Sequence, residues 1–248
     1  MKQQKFVMRH LVVATGMAVA ALAVVPAAQA DVTGNIGVYS KYVLRGITNV
    51  PENDNAAVQG GLDYSHSSGL YLGYWGSSLD YSNRTSEGGT SPKGFESDIY
   101  GGYKFDVGPV KLNLGAIYYA YTQITDADGV EGVIAAGIGP VTVGAKILAS
   151  DVAWGNKGDT YLTVDYSQAL PSDFTFAASF GYYVYNDDAS DLIPVTAEES
   201  GFRHLNLGIS HPLGKSGANM GITYIVGGMD RQGVDQENAV VLSLTTGF

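Results

Sequence analysis

The sequence predicts an all-β protein, an antiparallel up-and-down transmembrane β-barrel of about 12 strands that follows a cleaved leader. Three observations predict it. Apolar and polar residues alternate with period two along almost the whole chain after residue 30. Long polar connections take turns with tight Gly- and Pro-containing ones. Aromatic residues gather near the ends of the alternating segments and aliphatic ones in their middles. Composition agrees. Of 248 residues, 33 are Gly and 17 Tyr, and only 15% are charged, against ~25% in ordinary soluble domains. Mean hydropathy of +0.03 is too low for a bundle of apolar helices. The absence of Cys excludes a disulfide scaffold, a thiolate zinc site and a thiol nucleophile. A net charge of −10 argues against nucleic acid as a partner.

Residues 1–30 read as a secretory signal peptide. Lys2, Lys5 and Arg9 give a basic start, Leu11 to Val25 is apolar, and Pro26 precedes the small-residue site Ala28-Gln29-Ala30. The mature domain is then 31–248, beginning at Asp31. The apolar stretch is Ala-rich and shorter than the ~20 residues of a spanning helix, and no later run approaches that length. A strand-built span must close on itself, because lipid satisfies no backbone hydrogen bond.

The segments follow in order. Val32, Gly34, Ile36, Val38, Tyr42 and Leu44 share one face of the first, against Thr33, Asn35, Tyr39, Lys41 and Arg45. Val58, Leu62 and Tyr64 alternate with Gln59, Asp63 and Ser65, and Leu70, Leu72 and Tyr74 with Tyr71, Trp75 and Ser77. Ile99, Tyr103 and Phe105 oppose Asp98, Tyr100 and Lys104; Val110, Leu112, Leu114, Ala116 and Tyr118 oppose Lys111, Asn113 and Tyr119. Val130, Ile134, Ala136 and Ile138 oppose Glu131, and Val141, Val143, Ala145 and Ile147 oppose Thr142 and Lys146. Leu162, Val164 and Tyr166 oppose Tyr161 and Asp165; Phe174, Phe176, Ala178, Phe180 and Tyr182 oppose Ser179 and Tyr183. Leu205, Leu207 and Ile209 oppose His204 and Asn206, then Met220, Ile222, Tyr224 and Val226 oppose Thr223. Val240, Leu242, Leu244 and Phe248 close the chain, against Ser243 and Thr245.

The long links are Asn49 to Asn55, Ser82 to Gly94, Gln123 to Gly129, Val152 to Lys157, Asn186 to Gly201 and Met229 to Glu237. Long loops at one rim and short turns at the other are an outer-membrane pattern. Tyr42, Tyr118, Tyr182 and Tyr224 are expected to form a girdle at the long-loop rim. Tyr64, Tyr103, Phe105, Tyr166, Phe174 and Phe248 would form the other. The terminal Phe248 resembles the signal by which barrel-assembly machinery recognises its clients.

The polar face would line a lumen. Its candidates for solute contact are Tyr39, Lys41, Arg45, Asp63, Asp98, Lys104, Lys111, Glu131, Lys146 and Asp165. Functionally they would form a hydrated pore whose charges select solutes; the competing reading is a lumen plugged by ion pairs and tyrosines. Arg45 and Lys41 stand out, because Arg takes carboxylate or phosphate bidentately; their structural alternative is pairing with Asp63. Neither a cofactor nor a metal is expected: Asp126-Ala127-Asp128-Gly129 with Glu131 lacks the length and the bidentate Glu of a calcium loop. The acidic stretch Asn186 to Gly201 reads as a solvated loop, and Asn83-Arg84-Thr85 as a chance sequon. No enzyme is expected. His66 and His211 have only adjacent serines, which face the other way, and His204 would need Ser179 or Asp165 brought to it.

Four runs carry a family resemblance. Tyr39-Ser40-Lys41-Tyr42-Val43-Leu44-Arg45-Gly46-Ile47-Thr48 precedes Ala57-Val58-Gln59-Gly60-Gly61-Leu62-Asp63-Tyr64 and Ser68-Gly69-Leu70-Tyr71-Leu72-Gly73-Tyr74-Trp75. Together with Asp98-Ile99-Tyr100-Gly101-Gly102-Tyr103, this resembles the TorF-family porins, the Gcw_chp group of proteobacterial outer-membrane proteins. Lys41 stands where that pattern has an acid and Asn49 where it has Gln, and beyond Tyr121 the likeness rests on pattern. The resemblance implies an outer-membrane barrel in contact with lipid and with small polar solutes that diffuse passively.

Overall fold

The structure, a computed structural model, describes residues 30–84 and 92–248. The expected leader, but for Ala30, lies outside the described residues. The chain runs through β1 (Asp31–Tyr39), β2 (Ala57–Ser65), β3 (Leu70–Ser78), β4 (Phe95–Val107), β5 (Val110–Thr122) and β6 (Gly129–Ile138). It continues through β7 (Val141–Leu148), β8 (Thr160–Ala169), β9 (Thr175–Val184), β10 (Ser200–Pro212), β11 (Ala218–Gly227) and β12 (Ala239–Gly247). Each strand pairs antiparallel with its sequence neighbours, and β1 pairs with β12, so the sheet closes as a twelve-stranded barrel. Closure leaves no edge strand among the described residues.

The seam runs from Asn35 opposite Gly247 to Tyr39 opposite Ser243. It is extended by reciprocal bonds between Gly34 and Phe248, N to O at 2.8 and 2.9 Å. The start of β1 and the end of β12 therefore lie at the rim of the tight turns. Gly34 has a specific reason to be glycine: a Cβ there would stand 2.4 Å from the Phe248 ring, which lies over it on the outer wall.

Alternation sorts side chains onto the two faces of the wall. Val32, Ile36, Leu62, Leu72, Ile99, Leu114, Ile134, Val143, Leu242 and Leu244 stand exposed on the outside, and Gln59, Ser77, Asp98, Glu131, Ser179 and Asn206 are buried inside. Apolar residues on the exposed surface and polar ones in the interior invert a soluble fold and suit a wall wetted by hydrocarbon. Tyr118 and Tyr224 stand outside toward the long-loop rim, Tyr64, Tyr103 and Phe174 toward the other.

Two expectations about strand one require correction, and a bulge adds to them. Regular pairing of β1 ends at Tyr39, so Tyr42 and Leu44 are not on its outer face. Tyr42 makes a bridge with Asn53 inside the loop and its ring packs edge-on against Trp75 at 5.7 Å, so it belongs to no girdle. Arg45 and Lys41 are accordingly residues of the β1–β2 loop, not of strand one. Finally, the ladder between β9 and β10 shifts register between Phe202 and His204. This bulge places Arg203 and His204, adjacent in sequence, both in the interior.

Candidate functional site

The loop after β1 folds into the barrel mouth. Its first anchor is apolar: Val43 packs with Tyr39, Ile225 and Val241 on the inside of the wall. Its second is Tyr42, packed with Ala57, Ile117 and Trp75. Burial of each such side chain contributes about 1.5–3 kcal/mol, enough to hold the loop in. Arg45, at φ 47°, and Gly46, at φ 75°, then turn the chain left-handed. Gly46 is required there twice over, since a Cβ would meet the Arg203 carbonyl oxygen and the His204 Cβ at 2.6 Å.

That turn sends Arg45 across the lumen. Its Nη1 donates to Glu131 Oε1 at 2.8 Å and its Nη2 to Oε2 at 2.6 Å, a bidentate pair between the loop and β6. In the closed order β6 lies on the wall opposite β1. Nη2 also donates to the Tyr119 hydroxyl at 3.1 Å and Nη1 to that of Tyr183. Tyr119 donates to Glu131 at 2.6 Å, and the guanidinium stacks over the Tyr161 ring at 4.6 Å. Burial opposes the charge on Arg45, but the Glu131 carboxylate outweighs it and holds the group protonated well above its usual range. Tyr161 in turn bonds His204 Nε2 at 2.6 Å. The result is a bar of five strands' side chains across the barrel.

Above the bar, at the long-loop rim, lies an open cavity of about 580 Å3. Arg45, Tyr119 and Tyr183 form its floor, and Trp154, Tyr185, Leu192, Ile193, Pro194 and Val195 line it further. The acidic connection after β9 thus borders the cavity with its apolar centre, of which Leu192 and Val195 stay largely exposed, while Asp187, Asp188 and Asp191 face solvent. Arg231 locks the loops around the cavity. It pairs with Asp159, donates to Thr196 Oγ1 at 2.7 Å and stacks on Tyr185 at 4.6 Å.

The predicted lumen residues divide. Arg45 and Glu131 meet, with Lys146 near them, 5.8 Å from the Tyr161 ring that Arg45 also covers. Asp98 is buried inside β4, one carboxylate oxygen without a hydrogen bond in the structure. Asp63 accepts from Tyr100 at 2.7 Å, so it is not the partner of Arg45 or Lys41. Lys104 lies over the Tyr71 ring at 4.4 Å, below the bar. Lys111 is half-buried near the tight-turn end of β5, and Asp165 faces Ser179 across the β8–β9 ladder. Tyr39 is buried beneath the loop in its apolar anchor. Lys41 pairs with Asp54 at the surface and is not in the lumen. His204 meets the Tyr161 hydroxyl, and Ser179 only through its backbone. Asp128 Oδ1 accepts from the Tyr121 amide at 2.7 Å, a turn-holding role. Among the described residues no cluster of His, Cys, Asp or Glu is placed to hold a metal ion.

Arg203 is the residue that sequence reasoning missed. Strict alternation from His204 and Asn206 would turn it outward. The signal was Phe202, an apolar residue in phase with the polar face; it marks a slip that the bulge absorbs, and its ring packs on Phe180 at 5.5 Å.

The family model described as "Bacterial protein of unknown function (Gcw_chp)" matches residues 23–243. No curated protein matches. Among solved structures, the KdgM porin superposes over 87% of this chain and 98% of its own, with a TM-score of 0.53 and 7% identity. A chain from a study of the in-meso crystallization of membrane proteins covers 88% and 83%, with a TM-score of 0.50 and 13% identity. Outer membrane phospholipase A from Escherichia coli aligns over 86% of this chain and 89% of its own at a TM-score of 0.45 and 12% identity. At such identities the likeness to the first two is one of fold.

Proposed function

From the premise that the chain belongs to the Gcw_chp family of bacterial proteins, we propose that it is a porin-like channel of a Gram-negative outer membrane. It passes small polar solutes or ions by passive diffusion, without a cofactor. The observation that carries this reading is the inverted wall: an apolar exterior encloses a charged lumen that opens through a cavity of about 580 Å3 at one rim. The fold shared with the KdgM porin supports it, and so does the resemblance to TorF-family porins. In this reading residues 1–30 direct export and are removed. The seam strand ending at Phe248 engages the barrel-assembly machinery, and the chain is not an enzyme.

A second reading is a non-conducting structural or adhesion barrel, favoured by the Arg45–Glu131 bar, whose side chains are only 6% and 2% exposed. Single-channel recording on purified protein separates the two. Stable openings support the channel; a silent bilayer with correctly folded protein supports the plug.

A further inference from the structure

The long-loop cavity contains an arginine that no acid pairs directly, although Glu52 and Asp230 also line it. Arg203 is 4% exposed and lines the cavity. It donates to the Met229 carbonyl oxygen at 3.1 Å, hydrogen-bonds the Tyr185 hydroxyl and lies near the Tyr183 ring at 5.8 Å. Its Nε has no hydrogen-bond partner in the structure. Among the described residues no carboxylate lies within ion-pair distance of it, whereas both other arginines of the cavity have one: Arg45 has Glu131 and Arg231 has Asp159. The acid nearest in role, Asp230, is spent on its own loop. It accepts from the Gln232 and Val234 amides at 2.9 and 3.0 Å and from Gln236 Nε2 at 3.2 Å.

A buried guanidinium without an acid costs free energy unless an anion completes it. The bulge that turns Arg203 inward is a local irregularity of the kind that re-aims a side chain beside a site. The remaining walls set the rest of the ligand. Trp154 and the segment Leu192 to Val195 present ring and aliphatic surface, beside the tyrosines Tyr119, Tyr121, Tyr183 and Tyr185. The volume lies within the ~300–1,000 Å3 range of small-molecule pockets.

We propose that the cavity binds an organic monoanion, a carboxylate on a compact aromatic or branched aliphatic body, with Arg203 taking the carboxylate. The apolar body rests against Trp154 and the Leu192–Val195 segment. This deepens the channel reading by naming a solute class, and rests on it only for the path onward.

Isothermal titration of the refolded full chain in detergent tests it with three probes: benzoate, its neutral isostere benzamide, and inorganic phosphate. Benzoate is expected to bind one per chain, tenfold or more tighter than either of the others. Arg203→Met should reduce benzoate to the affinity of benzamide. The proposal is overturned if benzoate does not bind, if benzamide or phosphate binds as well, or if folded Arg203→Met binds benzoate unchanged. If that variant does not fold, the three-probe comparison on the unaltered chain decides alone. A protein that conducts but does not bind benzoate defeats this site and leaves the channel; one that binds benzoate but stays silent defeats the channel and leaves the site.

Discussion

Arg45 and Glu131, separated by 86 residues in the chain, meet bidentately across the lumen at 2.6–2.8 Å, both buried. The loop after β1 is thereby tied to the far wall. Removing either partner leaves a buried charge unmatched, which costs about 3–5 kcal/mol where no water reaches the site. Arg45→Ala is expected to lower the urea midpoint of the folded barrel, and to raise single-channel conductance with a shift toward cations, because Glu131 then lines the constriction alone. A conductance and selectivity identical to those of the unaltered protein would show that the ions take another path.

Gly46 gives a second handle on the same loop. Its φ of 75° and the 2.6 Å approach of Arg203 and His204 leave no room for a side chain. Gly46→Val should expel the loop from the mouth at a strain cost of about 1–3 kcal/mol. Limited proteolysis is the measurement: cleavage between residues 40 and 56 is expected to rise sharply, with the remaining strands still protected.

The loop also carries a pH response. Burial, and then the neighbouring Glu96 carboxyl, push the Glu52 carboxyl up from 4.5 to about 8, partly offset by a hydrogen bond from Tyr81. Between those values the folded protein holds a proton that the unfolded chain has released, so this group's contribution to stability falls as pH rises. It is fully present below pH ~4.5 and lost by pH ~8. Urea midpoints measured at pH 5 and pH 9 should differ less in Glu52→Gln than in the unaltered chain. An equal difference in both would assign the response elsewhere.

The outer wall predicts the cost of a misplaced charge. Leu114 stands exposed at mid-strand on β5. Leu114→Arg is expected to destabilise refolding into lipid vesicles by about 2–4 kcal/mol, read from urea titrations. Lys111→Arg, at the tight-turn end of the same strand on the inward face, should change little.

Much of the fold was legible because a pleated wall between two solvents writes its geometry as period two. Leu112 and Leu114 face out and Asn113 in for no subtler reason than that. The loop rim was legible too, since tight turns need Gly and Pro. What was not legible depends on long-range contacts. Alternation continues through Tyr42 and Leu44, and nothing local shows that pairing stops at Tyr39 and the chain bends inward. The acid that meets Arg45 lies on β6, beyond any spacing argument, and the nearer Asp63 is taken by Tyr100. Arg203 was hidden by a single extra residue, which inverts the facing of everything before it.

The central claim is that hydrocarbon wets the outside of this wall and water the inside. The chain has no Cys, so single cysteines can report on each face. Bimane attached at Leu114→Cys and at Asn113→Cys, in vesicles containing nitroxide-labelled lipid, tests it most directly. Strong quenching at 114 and little at 113 is the predicted result; quenching at 113 with 114 spared would contradict it.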